Sequence, residues 1–137
     1  MKQNVIIIEE NAAVRYVLTN VLQKKFRISE FDNCFEASEE LKNTGAGLIL
    51  VNIDTYNSDN IDFVNHLKSS SLYRNIPVIA ILRKDDEILK QLCLNTGAEQ
   101  VFVKPFDPRL LLGSVEELLP EAFQISNDHN EVATQAG

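Results

Sequence analysis

The sequence has few cysteines, no long apolar run and no cluster of basic residues. Its two cysteines, Cys34 and Cys93, lie far apart without metal-ligand spacing around either, which favours reduced thiols in the core over a disulfide or a metal site. No apolar stretch approaches the roughly 20 residues of a transmembrane helix, and the amino terminus lacks the pattern of a signal peptide. These absences predict a cytoplasmic chain without a membrane span.

Positive charge is also scarce. The chain has 13 Lys and Arg residues against 20 Asp and Glu residues, a formal net charge of -7, and its longest basic run is Lys24-Lys25. Nucleic-acid affinity comes from clustered Lys and Arg side chains that contact phosphates. We therefore expect no nucleic-acid binding by this domain.

What the chain does have is the composition of one ordinary globular domain. It has 137 residues, of which 45% are hydrophobic and 24% charged. This length is enough to bury about two-thirds of the unfolded surface in a single core. Because the periodic pattern decays near Pro120, we predict a domain over residues 1–120 and a polar tail or the start of a linker over residues 121–137.

Five short apolar runs alternate with amphipathic segments along this domain. Runs of this kind predict strands buried on both faces of a parallel sheet, and segments with apolar residues three and four apart predict helices. The first helix is expected from the N-cap Asn11 to Lys24-Lys25. The predicted strands cover residues 5–8, 26–31, 48–54, 76–82 and 101–103. The fold class is therefore α/β, a doubly wound sheet of five parallel strands with five helices.

Polar residues follow three of these strands. Glu9 and Glu10 come after the first, Asn52 lies near the end of the third, and Lys104 follows the fifth. Ligands of open α/β sheets bind beyond the carboxyl ends of the strands, where the first and third strands are neighbours. We therefore expect these four side chains to meet at one crevice, with Lys104 and a glutamate forming an ion pair.

This arrangement resembles the receiver domains of two-component response regulators over residues 4–119. The motifs that carry the resemblance are Ile7-Ile8-Glu9-Glu10-Asn11, Leu50-Val51-Asn52 followed by Asp59-Asn60, Ile76-Pro77-Val78-Ile79, and Gly97-Ala98 leading to Lys104-Pro105-Phe106. The resemblance implies a flavodoxin-like fold with strand order 2-1-3-4-5. It also implies a cis peptide bond between Lys104 and Pro105.

In that family a histidine kinase transfers a phosphoryl group to an aspartate at the end of the third strand. Here that position is Asn52, whose neutral amide lacks the anionic oxygen that attacks phosphorus. By the same resemblance, Mg2+ would contact Glu9, Glu10, residue 52 and the backbone carbonyl of Asp54. With one carboxylate fewer, we predict a weak or lost Mg2+ site and no required cofactor.

Further departures from the family affect the positions that respond to phosphorylation. Leu82 stands in place of a Thr or Ser hydroxyl, Val101 in place of an aromatic residue, and Arg83 in place of a small residue. Lys104 is retained, which we interpret as a stabilising charge. The sequence thus predicts a pseudo-receiver, a non-enzymatic two-component or phosphorelay module that acts by protein-protein interaction.

Two alternatives remain open at this stage. Asp54 shares a side of the strand with Asn52 and could accept the phosphoryl group with Mg2+, although it is displaced by about 6–7 Å. A small ligand could instead bind a crevice among Glu9, Asn52, Leu82, Arg83 and Lys104. The histidines, His66 and His129, are expected at the surface.

The resemblance also suggests the interaction surface, which is the face formed by the fourth helix, the fifth strand and the fifth helix. Its expected partner is a histidine kinase, an output protein or a second copy of the chain. Its expected members are Leu89, Lys90, Leu92, Phe102 and Arg109.

Overall fold

The computed structural model describes residues 2–56 and 58–119, in which strands and helices alternate. The strands are β1 (Asn4–Ile8), β2 (Arg27–Phe31), β3 (Leu48–Ile53), β4 (Val78–Leu82) and β5 (Gln100–Val103). The helices are α1 (Ala12–Leu22), α2 (Cys34–Asn43), α3 (Asp59–Ser69), α4 (Glu87–Thr96) and α5 (Pro108–Leu118). None of these helices combines the length and apolar character that a membrane span requires. The predicted tail over residues 121–137, with His129, lies outside the described residues.

The five strands form one parallel sheet in the order β2-β1-β3-β4-β5, which confirms the predicted fold. Ile8 at the end of β1 aligns with Phe31 of β2 and with Val51 of β3, so the carboxyl ends of these strands are level. Every residue of β1, β3 and β4 is buried. These continuous apolar runs are buried because helices cover the sheet on both sides.

Alternate residues of each strand enter two separate cores. Ile6 and Ile8 pack with residues of α2, α3 and α4, whereas Val5 and Ile7 pack with residues of α1 and α5. Successive side chains of a strand point to opposite faces, so one strand supplies both cores. The doubly wound arrangement follows from this division.

Polar caps place the helix N-termini at the carboxyl edge of the sheet. The Asn11 side chain accepts hydrogen bonds from the backbone N–H groups of Ala13 and Val14, and the Asn33 side chain accepts one from Glu36. Asp107 caps α5 in the same way. Because short polar side chains satisfy the first free N–H groups of a helix, these residues set where each helix begins.

Two predicted boundaries were wrong by two or three residues. Helix α1 ends at Leu22 and not at Lys24-Lys25, because the N–H groups of both Lys25 and Phe26 donate to the carbonyl of Leu22. Strand β4 begins at Val78 and not at Ile76. The N–H of Ile76 donates to the carbonyl of Tyr73 in a turn, and Pro77 has no N–H to continue the ladder.

The two cysteines are free and buried, as predicted. Cys93 is 1% exposed, and burial raises the pKa of its thiol to about 11. Burial is also the main cause that raises the pKa of the Cys34 thiol. Since the thiolate is the reactive form, neither residue is suited to nucleophilic chemistry at neutral pH.

Candidate functional site

The structure brings the carboxyl ends of β1, β3 and β5 together, as the sequence predicts. Glu9 follows β1, Asn52 is the fifth of the six residues of β3, and Lys104 follows β5. The peptide bond between Lys104 and Pro105 is cis, which confirms the expectation from the family resemblance.

Glu9 and Lys104 form a buried ion pair. The Lys104 Nζ atom lies 3.0 Å from Glu9 Oε1, and the two side chains are 17% and 1% exposed. The other oxygen of Glu9 accepts a hydrogen bond from the backbone N–H of Asn11 at 3.1 Å. The predicted pairing is confirmed, and the Lys104 charge is engaged by Glu9.

Asn52 is 6% exposed and is held by one hydrogen bond from its side-chain amide and one to its backbone carbonyl. Its Nδ2 donates to Asp54 Oδ2 at 3.2 Å, which confirms that the two side chains share one side of the strand. Its backbone carbonyl accepts a hydrogen bond from Asn60 Nδ2 at 2.7 Å. Within residues 2–56 and 58–119, the Oδ1 atoms of Asn52 and Asp54 have no hydrogen-bond donor. Buried acceptors without a partner cost about 1–3 kcal/mol each, so these two atoms lower the stability of this edge.

The positions of the family's hydroxyl and aromatic residues are apolar. Leu82 is fully buried and aligns with Ile53 of β3 and Val103 of β5. Val101 is half-buried and packs against the core on the α4 side of the sheet. Arg83 is exposed and forms no ion pair with the described part of the chain.

A cavity of about 240 Å3 opens beside Asn52, on the side of the sheet edge away from Lys104. It is lined by Glu10, Asp32, Asn33, Cys34, Phe35, Asn52, Asp54, Ser58, Asp59 and Asn60. Of the five residues predicted to surround a ligand crevice, only Asn52 lines this cavity. Sequence reasoning missed residues 32–35, although their position directly after β2, the neighbour of β1, was the available signal.

The donor set does not fit a strong Mg2+ site. Lys104 compensates the charge of Glu9, Asn52 is neutral, and Asp54 already accepts the Asn52 amide. In the residues that the structure describes, no three His, Cys, Asp or Glu side chains are arranged to hold a metal ion. Hard cations need several anionic oxygens at short range. The weak or lost site at Glu9, Glu10, Asn52 and Asp54 stays a prediction.

A contact between two loops near the site was also missed. The Tyr56 hydroxyl donates to the two carboxylate oxygens of Asp86, at 3.1 and 3.3 Å. This hydrogen bond is the main cause that raises the pKa of Tyr56, and the hydrogen bond from the backbone of Leu89 is the main cause that lowers the pKa of Asp86. Asp86 is the N-cap of α4, so Tyr56 connects the loop after β3 to the start of that helix.

The predicted contact face on α4, β5 and α5 needs one correction. Leu89 is 3% exposed and belongs to the core, because it lies on the stripe of α4 that faces the sheet. Phe102 is half-buried and packs edge-on against Phe106. The exposed large apolar residues of the two helices are Ile88 (71%), Leu94 (39%) and Leu110 (66%), which the sequence interpretation did not include.

Comparison with known proteins connects this geometry to a family. The family model "Response regulator receiver domain" matches residues 5–116. The phosphate regulon transcriptional regulatory protein PhoB of Escherichia coli is 28% identical over 120 residues, covering 87% of this chain and 52% of PhoB.

Solved structures show the same fold. A putative response regulator from Chloroflexus aurantiacus superposes with a TM-score of 0.81 at 17% identity, covering 88% of this chain and 99% of the other. The chemotaxis response regulator CheY4 of Vibrio cholerae gives a TM-score of 0.77 at 20% identity, with 87% and 100% covered. This chain spans about half the length of PhoB. The family match covers most of the domain, and the chain therefore belongs to the response regulator receiver domains of two-component systems.

Proposed function

We propose that this chain is a cytoplasmic, non-enzymatic receiver module that signals by protein-protein contact without aspartyl phosphorylation. The observation that carries the proposal is Asn52 at the position of the phosphoacceptor. An amide has no anionic oxygen to attack phosphorus, and it contributes no charge to a metal site.

The surroundings of Asn52 support the same conclusion. Buried Leu82 has no hydroxyl that could donate a hydrogen bond to a phosphoryl oxygen, and Lys104 is paired with Glu9. Val101 has no ring to change position in response to phosphorylation. Because the acceptor, the hydroxyl and the aromatic residue are all replaced, restoring one of them would not restore the whole response.

A second candidate function rests on Asp54. Among the described residues its buried Oδ1 atom has no donor, and its side chain borders the cavity, so a carboxylate is present near the former acceptor position. However, its backbone is displaced by about 6–7 Å along the strand from residue 52. Phosphoryl transfer needs in-line placement of the nucleophile, which this displacement disfavours.

Incubation with Mg2+ and acetyl phosphate, followed by intact-mass measurement, tests the proposal. We expect no phosphoryl adduct on the parent chain and an adduct on Asn52→Asp, because the variant regains the nucleophilic oxygen. Asp54→Asn is the matched control for the second candidate. A parent adduct that disappears in Asp54→Asn would contradict the proposal and assign the chemistry to Asp54.

We further propose the α4-β5-α5 face, centred on exposed Ile88 and Leu110, as the contact surface for a protein partner or a second copy. Lys90, Leu92, Phe102 and Arg109 lie on the same elements. Apolar side chains with this exposure gain free energy when a partner buries them.

Sedimentation equilibrium of the parent and of Ile88→Glu/Leu110→Glu tests this surface. We expect the double variant to weaken self-association at least about tenfold, because two charges would have to be buried at the contact. Leu72→Glu, at a residue 80% exposed after α3, is the control and should associate like the parent. A parent that stays monomeric at every concentration would exclude the second copy as partner.

A further inference from the structure

We propose that the Tyr56 side chain couples the sheet edge at Asn52 and Asp54 to the start of α4, so that a change in the hydrogen bonds of this edge displaces the first turn of the helix. Three features support the coupling: the hydrogen bonds of Tyr56 to Asp86, the position of Asp86 as the N-cap of α4, and the hydrogen bonds around Asn52. The coupling does not depend on whether residue 52 is phosphorylated.

Tyr56 and Asp86 connect the loops that follow two neighbouring strands. Ile53 ends β3 and aligns with Leu82, which ends β4. Tyr56 lies in the loop after Ile53, and Asp86 lies in the loop after Leu82. The Tyr56 hydroxyl donates to the Asp86 carboxylate at 3.1 and 3.3 Å. This contact therefore joins two loops at the carboxyl edge of the sheet, the edge at which Asn52 lies.

The contact is charge-assisted but open to water. A hydrogen bond to an ionised carboxylate is stronger than one between neutral groups. It is the main cause that raises the pKa of Tyr56, whereas the backbone N–H of Leu89 is the main cause that lowers the pKa of Asp86, and the Tyr56 hydroxyl adds to that lowering. Both shifts favour the neutral phenol and the ionised carboxylate that the contact needs. Since Tyr56 is 49% exposed, water competes for the same groups, and the contact can break without unfolding the domain.

Asp86 transmits a displacement of Tyr56 to α4 because it caps this helix. Its side chain accepts a hydrogen bond from the N–H of Leu89 at 3.0 Å, and its carbonyl accepts one from the N–H of Lys90 at 2.8 Å. Leu89 is 3% exposed and packs in the core. A capping side chain satisfies an N–H group that has no partner within the helix. Asp86 therefore cannot shift without changing the hydrogen bonds of the first turn.

The loop that carries Tyr56 is tied to Asn52 at its other end. Asn52 Nδ2 donates to Asp54 Oδ2 at 3.2 Å, and Asn60 Nδ2 donates to the backbone carbonyl of Asn52 at 2.7 Å. Asp54 lies two residues before Tyr56, so a loop that moves when the Asn52–Asp54 contact breaks also moves Tyr56. Coupling between two sites is carried by contiguous contacts of this kind. Here they run from Asn52 through Asp54 and Tyr56 to Asp86.

The coupling uses a residue outside the positions that the family resemblance assigns to the response. Leu82 has no hydroxyl and Val101 has no ring, so these two positions offer no polar contact between the edge and α4. Tyr56 combines a ring with a hydroxyl that donates to the cap of this helix. The link between the edge and α4 is thus a property of the side chains of this chain.

A double-mutant cycle on the full chain tests the coupling, with the backbone amide shifts of Leu89 and Lys90 as the NMR readout. Asp54→Ala removes a hydrogen-bond acceptor from the edge, and we expect it to shift both amide signals because the loop moves Tyr56. In the Tyr56→Phe background the same substitution should shift them at least about twofold less, because the hydroxyl contact is absent. Tyr56→Phe alone should raise the hydrogen-exchange rate of the Leu89 amide about two- to threefold, the low end for the loss of one hydrogen bond.

Tyr16→Phe is the matched control, since it removes the same hydroxyl from a residue that is 67% exposed on α1, on the other side of the sheet from α4. In that background Asp54→Ala should shift the Leu89 and Lys90 amides as much as in the parent. Equal shifts in the two phenylalanine backgrounds would overturn the coupling, because neither a purely structural tyrosine nor a charge effect through space depends on the Tyr56 hydroxyl. Unchanged Leu89 and Lys90 amides in Asp54→Ala would overturn it as well. If Asp54→Ala does not fold, Asp54→Asn replaces it with the same expected and contradicting results, because loss of the charge weakens the acceptor.

Discussion

Replacing Lys104 by methionine is expected to lower the free energy of unfolding by about 3 kcal/mol. The substitution leaves the Glu9 carboxylate, which is 1% exposed, without its counter-charge 3.0 Å away. Breaking a buried ion pair by removing one partner costs roughly 3–5 kcal/mol, and the 17% exposure of Lys104 places this pair at the lower end. Urea denaturation at neutral pH with linear extrapolation measures the change.

Lys90→Met is the control for Lys104→Met. Lys90 pairs with Glu87 at 3.7 Å on the surface of α4, where Glu87 is 79% exposed, so its loss should cost less than about 1 kcal/mol. The double variant Glu9→Gln/Lys104→Met should recover part of the stability, because neither charge is then left unpaired. If Lys104→Met were as stable as Lys90→Met, the interpretation of Lys104 as a stabilising charge would be wrong.

Replacing Gly97 by alanine is expected to lower the free energy of unfolding by roughly 2–4 kcal/mol. Gly97 ends α4 with φ +128°, a conformation that residues with a Cβ rarely adopt. A Cβ there would lie 2.5 Å from Cγ of Lys68. Lys68 cannot easily move, because its Nζ donates to the carbonyl of Ile76 at 2.8 Å and to Glu99 Oε2 at 3.1 Å. The free-energy costs of backbone strain and of overpacking therefore add in Gly97→Ala.

Two other glycines separate these contributions in the same denaturation experiment. Gly45 has φ +79°, and apart from its two chain neighbours no residue that the structure describes comes within 4 Å of the position that an alanine Cβ would occupy. Gly45→Ala should therefore cost only the backbone strain of about 1–2 kcal/mol. Gly113 lies inside α5 with open space around it, and Gly113→Ala should be neutral or stabilising by up to about 1 kcal/mol. A loss for Gly97→Ala no larger than that for Gly45→Ala would show that Lys68 yields to the new methyl group.

Much of the fold could be predicted because it depends on local patterns. The apolar runs of β1, β3 and β4 identify strands buried on both faces, and Asn11, Asn33 and Asp107 identify where helices begin. A pair between Lys104 and a glutamate also followed from the sequence, since these residues come directly after strands whose order the family resemblance implies, and the structure shows that the partner is Glu9. Boundaries were less predictable, because carbonyls such as that of Leu22 accept from two N–H groups in a turn that periodicity does not reveal.

By itself, the sequence determined the α/β class, the strand edge at which Glu9, Asn52 and Lys104 meet, and the amide at the acceptor position. Only the tertiary structure decided what surrounds that amide. The cavity depends on how residues 32–35, at the start of α2, pack beside the start of α3. The Tyr56–Asp86 contact joins residues 30 positions apart. Such contacts are set by the relative placement of elements on the sheet, and short-range residue patterns carry no information about that placement.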